Sequence, residues 1–337
     1  MHPTKTFADT VPFSEAARVP FRCRRGQFNM TSNAPFAAML SVLCGMAVIG
    51  FVDNFVVVIA NEAGLWQFHV TRTLMALPMI LALSLIGFGT IRPKRIWPVA
   101  VRSTLVAGAM MLYFGALAFL PIAEVAAGLF TSPIFVVLIS AIVLRVRIGP
   151  VRIAAAISGF GGVLMVLRPE AGSFSWVTVV PVLAGLLYAI GAIATRRWCA
   201  DESTLAVLGG FFVVLGLLGA AGSTFLAAFP HEAAEGAGGF IQRGWTAPTR
   251  AFLFWTLVQA AGSIVAVGLL IWGYQRADAS FVSIFEYSLL LWVSIWAYIL
   301  RGETIDAPAA IGMGLIIVSG AVIALRSRRG DPVLATS

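Results

Sequence analysis

The sequence predicts an all-α integral membrane protein: ten transmembrane helices arranged as two inverted five-helix repeats. Three observations carry this: the composition, the spacing of the apolar runs, and an offset relating the two halves. Of the 337 residues, 59% are hydrophobic and 11% charged, whereas a soluble domain has about 45–50% and about 25%. A mean hydropathy of +0.93 leaves too few polar side chains to cover a solvated surface. That excludes a soluble two-domain enzyme and a disordered chain. A net charge of +8 would suggest nucleic acid in a soluble protein. Here the basic residues fall between apolar runs, as in cytoplasmic loops, so the expected partner is the lipid bilayer and not nucleic acid.

A helix needs roughly 20 apolar residues to cross a hydrocarbon core of about 30 Å. Apolar runs fall at 36–60, 65–89, 96–120, 122–144, 151–168, 176–195, 204–228, 251–274, 279–300 and 307–325. They are continuous, unlike the alternating segments of an outer-membrane barrel. The run 151–168 is short, and its Gly159, Gly161 and Gly162 suit close helix packing. Most joints are a few residues long and marked by proline, as at Arg92-Pro93, Leu120-Pro121, Gly149-Pro150 and Arg168-Pro169. The stretch 229–250 is polar and glycine-rich, and reads as a solvent loop with room for some helix, the least constrained part of the middle of the chain.

Residues 1–34 lack the apolar stretch of a secretory signal and cluster Arg18, Arg22, Arg24 and Arg25. They are expected to be a disordered, basic, cytoplasmic tail. Met1 and Met30 are both candidate starts. Residues 35–170 and 171–327 form the two five-span repeats, and 328–337 a second cytoplasmic tail. With the amino terminus inside, 18 of the 23 basic residues lie inside and 4 outside, leaving Arg72 within a span. This asymmetry places both termini in the cytoplasm and the chain in the cell (inner) membrane.

The segment 138–168 aligns with 296–326 at an offset of 158, matching Gly162 with Gly320 and Arg168 with Arg326. Upstream, Gly115 falls on Gly273. The offset spans five helices, an odd number, so the halves insert upside-down relative to each other, as in many secondary transporters.

On these residues the sequence resembles the drug/metabolite transporter superfamily, in its EamA-type ten-span form. The carriers are Phe285-Glu286-Tyr287, the run LLLWVSIWAYILRGE ending at Glu303, Gly312 and Gly320, Asp53-Asn54, and HVTRTLMALP at 69–78. The likeness covers about 35–325. The first repeat departs from it: Leu144-Arg145 stands where a Gly-Glu is expected. The resemblance implies a central cavity, alternating access and no enzymatic activity. It implies a secondary transporter for a small organic metabolite such as an amino acid, nucleoside, purine, vitamin or drug-like solute, with efflux favoured. The alternatives are an uptake permease, for S-adenosylmethionine for example, and a non-transporting accessory protein. The chain is expected to act as a monomer or homodimer.

Charges within spans are costly, so each is a candidate site. Asp53 and Arg72 lie at matching depth in adjacent spans, as a structural ion pair or as a pair lining the cavity. Asn54 lies on a small polar stripe with Gly50 and Ala47, and His69 is one turn from Arg72. Trp255 and Gln259 share a face of the eighth span, where a buried glutamine needs partners. Tyr287 could stack on a planar solute. Together Asp53, Asn54, His69, Arg72, Trp255, Gln259 and Tyr287 form the candidate substrate site. Glu286 is the candidate proton-coupling group, with Arg102 or Arg276 as the structural alternative partner. Glu303 reads as a helix-end group. The cysteines (Cys23, Cys44, Cys199) and histidines (His2, His69, His231) are too scattered for a metal or redox site. No cofactor is expected, and no nucleophile–base or zinc motif suggests an enzyme.

Overall fold

A computed structural model describes residues 34–116, 120, 122–169, 177, 179–230, 232–234 and 236–328. The expected tails, apart from Ala34 and Arg328, lie outside these residues, as does the junction between the repeats at 170–171. The regular structure described is entirely helical. Among the described residues, ten helices are long and apolar enough to cross a bilayer: Ala34–Glu62, Leu65–Leu85, Ile96–Ala116, Ala123–Val143, Pro150–Leu167, Val179–Trp198, Thr204–Ala228, Arg250–Arg276, Ala279–Arg301 and Ala307–Arg326. They follow the ten apolar runs, with ends shifted by a few residues. The second span, for example, stops at Leu85, and a turn over Ile86–Gly87 replaces its last expected residues.

Three spans are interrupted. The first is helical over Ala34–Asp53 and again over Val56–Glu62, with a turn at Asn54 and Phe55 between. The fourth runs as Ile122–Leu129, Ser132–Leu138 and a π-helical turn, Ile139–Val143. The ninth, its counterpart in the second half, begins as Ala279–Val282, tightens into a 3₁₀ turn at Ser283–Tyr287 and continues as Ser288–Arg301. Irregular backbone inside a membrane frees polar groups, so it is tolerated where protein or a water-accessible cavity satisfies them.

The packing repeats between the halves. The first span packs along the eighth, and the sixth along the third. The fifth packs along the tenth, and the second along the seventh. Exchanging each span for the one five places on leaves this set of neighbours unchanged, as a two-fold relation between the halves requires. Glycines set the close approaches. A Cβ on Gly262 would lie 2.5 Å from Val52 Cγ1 of the first span, and one on Gly191 2.5 Å from Val106 Cγ2 of the third. Gly162 and Gly312 face each other's carbonyl oxygens across the fifth and tenth spans.

We call the side where the first span begins the near face, and the other the far face. The far face carries the stretch 229–250, a largely exposed loop that is tied down more firmly than the sequence suggests. Its described part contains a 3₁₀ turn at Gly236–Gly239 and docks onto the ends of the first two spans. Phe240 is buried with Ile59, Leu65 and Phe68. Arg243 donates from Nη1 to Ala60 O (2.7 Å) and from Nη2 to Gly236 O (2.5 Å). Gln67 exchanges two hydrogen bonds with the Thr246 backbone. The carbonyls that end the first span thus find their partners in this segment. On the near face, the buried Glu202 carboxylate accepts from the backbone N–H groups of Lys94 (2.6 Å) and Arg95 (3.0 Å). Gln275 donates to the carbonyls of Cys199 and Glu202. Burial pushes the Cys199 thiol up to about 11, which leaves it protonated and unreactive at neutral pH.

Candidate functional site

Two polar clusters lie inside the bundle, one in each half of its thickness. The far-half cluster centres on Asp53, the last residue before the break in the first span. Asp53 is exposed although it stands within the helix bundle. Its carboxylate hydrogen-bonds the Gln259 side chain, and Arg72 and Tyr113 are its electrostatic neighbours. Gln259, 2% exposed, also donates from Nε2 to Val52 O at 2.9 Å. It therefore satisfies both the carboxylate and a carbonyl beside the break. Asp53 is thus accessible at the break, with polar neighbours on three other spans.

Arg72 is not in contact with Asp53: among the described residues no ion pair joins them. The guanidinium instead lies over the rings of Phe68 (4.8 Å) and Phe212 (5.8 Å) and touches His69 Nδ1 at 3.3 Å. Its Nε is buried without a protein partner among the described residues, as is Nε2 of the fully buried His69. The structure thus gathers Asp53, Arg72, His69 and Gln259 into one region. Trp255 is one turn from Gln259 on the eighth span, stacked on Phe55 of the break at 4.0 Å between centroids.

Two expected members lie elsewhere. Asn54 turns away from Asp53: its Nδ2 donates to Gly50 O at 2.6 Å, and its Oδ1 accepts from Arg301 at 2.7 Å. Gly50 and Ala47 of the same stripe pack on the ninth span, where Ala47 O accepts from Trp296 Nε1. Tyr287 is wholly buried between spans, its hydroxyl on Ala156 O at 3.3 Å and its ring beside Phe130.

The near-half cluster centres on Glu286 in the 3₁₀ turn of the ninth span, 4% exposed. Neither arginine considered from the sequence pairs with it. Its Oε1 accepts from Tyr274 (2.9 Å) and Tyr188 (3.0 Å). Arg276 instead lies 3.8 Å over the Trp272 ring. Arg102 donates from Nε to Thr195 Oγ1 at 3.0 Å. Ser283, one 3₁₀ turn before Glu286, is fully buried, and its hydroxyl has no partner among the described residues. Sequence reasoning missed Tyr113, Tyr188 and Tyr274. The available signal was the phenol itself, since a tyrosine deep in an apolar span needs a hydrogen-bond partner there.

Two apolar grooves flank the bundle, the first lined in part by Ile284, Phe285 and Ser288 around the Glu286 turn. One of about 340 Å³ runs between the first, ninth and tenth spans, and one of about 650 Å³ between the second, third and seventh. Neither contains a charged side chain. Among the described residues no three His, Cys, Asp or Glu side chains gather as metal ligands.

Residues 36–168 match the model of the EamA-like transporter family. A riboflavin transporter of Rhizobium johnstonii is 28% identical over 76% of this chain and 80% of its own length. A pseudopaline exporter of Pseudomonas aeruginosa is 25% identical over 68% and 75%, respectively. An aromatic amino acid exporter of Ancylobacter novellus is 23% identical over 72% and 81%. One solved crystal structure, 19% identical, superposes with a TM-score of 0.71 over 89% of this chain and 99% of that one. That likeness is one of fold.

Proposed function

Starting from a chain that belongs to the EamA-like transporter family of the drug/metabolite transporter superfamily, we propose that it exports a small organic metabolite carrying both an amino and a carboxylate group. The observation that carries this reading is Asp53, exposed inside the bundle beside a helix break, with Arg72 close enough to be felt but not paired. A carboxylate and a guanidinium held apart around an accessible space can each meet the opposite charge of a zwitterion. Interrupted spans next to a mid-membrane charge are the usual construction of such a site. The exporter descriptions of two relatives support the direction. In this reading the far-face segment 229–250 and the near-face Glu202–Gln275 latch open alternately. Glu286 carries the coupling proton, with the two tyrosines on its Oε1.

The orientation that goes with export puts both termini in the cytoplasm, which the basic near-face loops support. Outside labelling should modify a cysteine placed at Glu232 in a cysteine-free background, and should spare one at Lys94 until the membrane is permeabilised. A second reading, carriage of an uncharged flavin, is favoured by the riboflavin transporters among the relatives. Counterflow into proteoliposomes preloaded with unlabelled solute decides between them. Labelled phenylalanine should accumulate and riboflavin should not; the reverse pattern selects the flavin reading, and no counterflow of either removes both.

A further inference from the structure

Arg102 is a cation inside a membrane bundle without an anion. It lies in the near half of the third span, 6% exposed, and among the described residues no carboxylate forms an ion pair with it. Nε is satisfied by Thr195 Oγ1, which itself donates to Gly191 O at 2.8 Å. Nη1 is buried with no protein partner among the described residues. The titratable groups in its electrostatic range are Tyr188, Tyr274 and Cys199. The two phenols are the ones that donate to Glu286 Oε1. A charged guanidinium taken out of water is costly unless an anion or several acceptors meet it. The described residues supply one acceptor and leave the buried Nη1 unsatisfied.

We propose that Arg102 is an anion-binding residue, taking the single carboxylate of an organic solute on its Nη1 edge in the near half of the bundle. The charge class follows from the lone guanidinium: a monocarboxylate neutralises it, whereas a dianion would leave a net negative charge buried in the bundle. The position has a counterpart. Arg102–Thr195 joins the third span to the sixth, the pair equivalent to the eighth and first spans that Gln259 joins beside Asp53. The two polar crossings would then offer a cationic station on the near half and an acidic one on the far half. This inference rests on the transport reading for its place in a cycle, but binding is measured without flux.

The test uses purified full-length protein in nanodiscs at about pH 8.5, with benzoate as the probe, benzamide as its uncharged analogue and inorganic phosphate, at that pH almost wholly the dianion, as the third ligand. A ligand that binds the folded state raises Tm with concentration. Benzoate should raise Tm, while benzamide and phosphate at equal concentration should not. R102Q should abolish the response, and R102K should weaken benzoate binding at least tenfold, because an ammonium lacks the planar edge. D306N, on the exposed far face and outside both clusters, should retain the wild-type response. Wild-type benzoate affinity in R102K overturns the proposal, even if R102Q fails to fold. So does an equal shift with phosphate, or a response kept in R102Q. Benzoate binding without counterflow leaves Arg102 standing and removes the transport reading; counterflow without benzoate binding does the opposite.

Discussion

Asp53 and Glu286 are both carboxylates among membrane-spanning helices, and the fold treats them differently. Asp53 stands exposed at a break in its helix, with one amide donor and a guanidinium at a distance. Glu286 is enclosed in a 3₁₀ turn, with two phenolic hydroxyls on a single oxygen. The first arrangement keeps a charge available to whatever reaches the break. The second removes a carboxyl group from solvent and surrounds it with neutral donors. The contrast teaches that burial depth alone does not assign a role to a membrane carboxylate. Its donors and its access to solvent decide.

The largest effect that would break this comparison is at Asp53 itself. Asp53→Asn and Arg72→Gln should each lower counterflow by about 30-fold or more, as expected when one charge of a recognition site is removed. Because the two groups are not in contact, the double variant should be no milder than either single change. Rescue in the double variant, measured by a double-mutant cycle, would mean that they form a direct pair after all.

The next effect separates the second carboxylate from the first. Glu286→Gln should reduce accumulation driven by a pH gradient by about tenfold and keep exchange between equal compartments. Asp53→Asn should lose both. Unchanged gradient-driven transport in Glu286→Gln, with its pH dependence intact, would remove Glu286 as the coupling site. Tyr188→Phe together with Tyr274→Phe tests the setting rather than the carboxyl. This change should shift the pH dependence while exchange persists.

A smaller effect concerns the helix pairs that carry the clusters. Gly262 meets Val52 and Gly191 meets Val106 at the same 2.5 Å for an added Cβ, and valine is stiff at χ1. Gly262→Ala and Gly191→Ala should each destabilise by about 1–3 kcal/mol, the usual cost of overpacking. The two losses in thermal stability should be alike. A clear inequality would show that the halves are not equivalent at these crossings.

Much of this was legible before the structure. The ten spans follow from run length and composition. Asp53, Arg72 and Gln259 stood out because polar groups are rare in apolar helices. What was hidden depended on facing partners. Asn54 turns toward Arg301 because the helix breaks directly after Asp53, and no residue in the apolar run announces that break. Tyr188 and Tyr274 sit near or within spans, where tyrosine equally reads as an interfacial anchor. The stretch 229–250 looked like a solvent loop because its composition is polar, yet its arginine and backbone groups are what the ends of the first two spans need. The missing Gly-Glu of the first repeat also has a local explanation. A π-helical turn adds a residue at Ile139–Val143, and the left-handed position falls on Arg145 (φ 53°) where the second repeat uses Gly302 (φ 68°).

The smallest effect lies on the far face, outside both clusters. Asp306 precedes the tenth span, where its Oδ1 accepts from the Ala309 N–H at 3.1 Å and its Oδ2 meets the Arg168 guanidinium. That backbone hydrogen bond first, and the Arg168 contact second, hold its carboxyl below the ordinary aspartate range. A carboxyl lowered on folding adds stability that is complete above the unfolded-state value of about 3.9. This stability is lost as pH falls through the lower, folded value. Exposed pairs of this kind contribute little, so Asp306→Asn, which keeps the helix cap, should lower Tm at pH 7 by no more than about 2 °C. Asp306→Ala should lower it further, because the cap goes as well. As pH is lowered from 5 to 3, the wild type should converge on Asp306→Asn while Asp306→Ala stays apart. A gap between wild type and Asp306→Asn that widens on acidification would reverse the sign of the shift. It would place the Arg168 contact among those that do not hold in solution, leaving the asymmetry between Asp53 and Glu286 untouched.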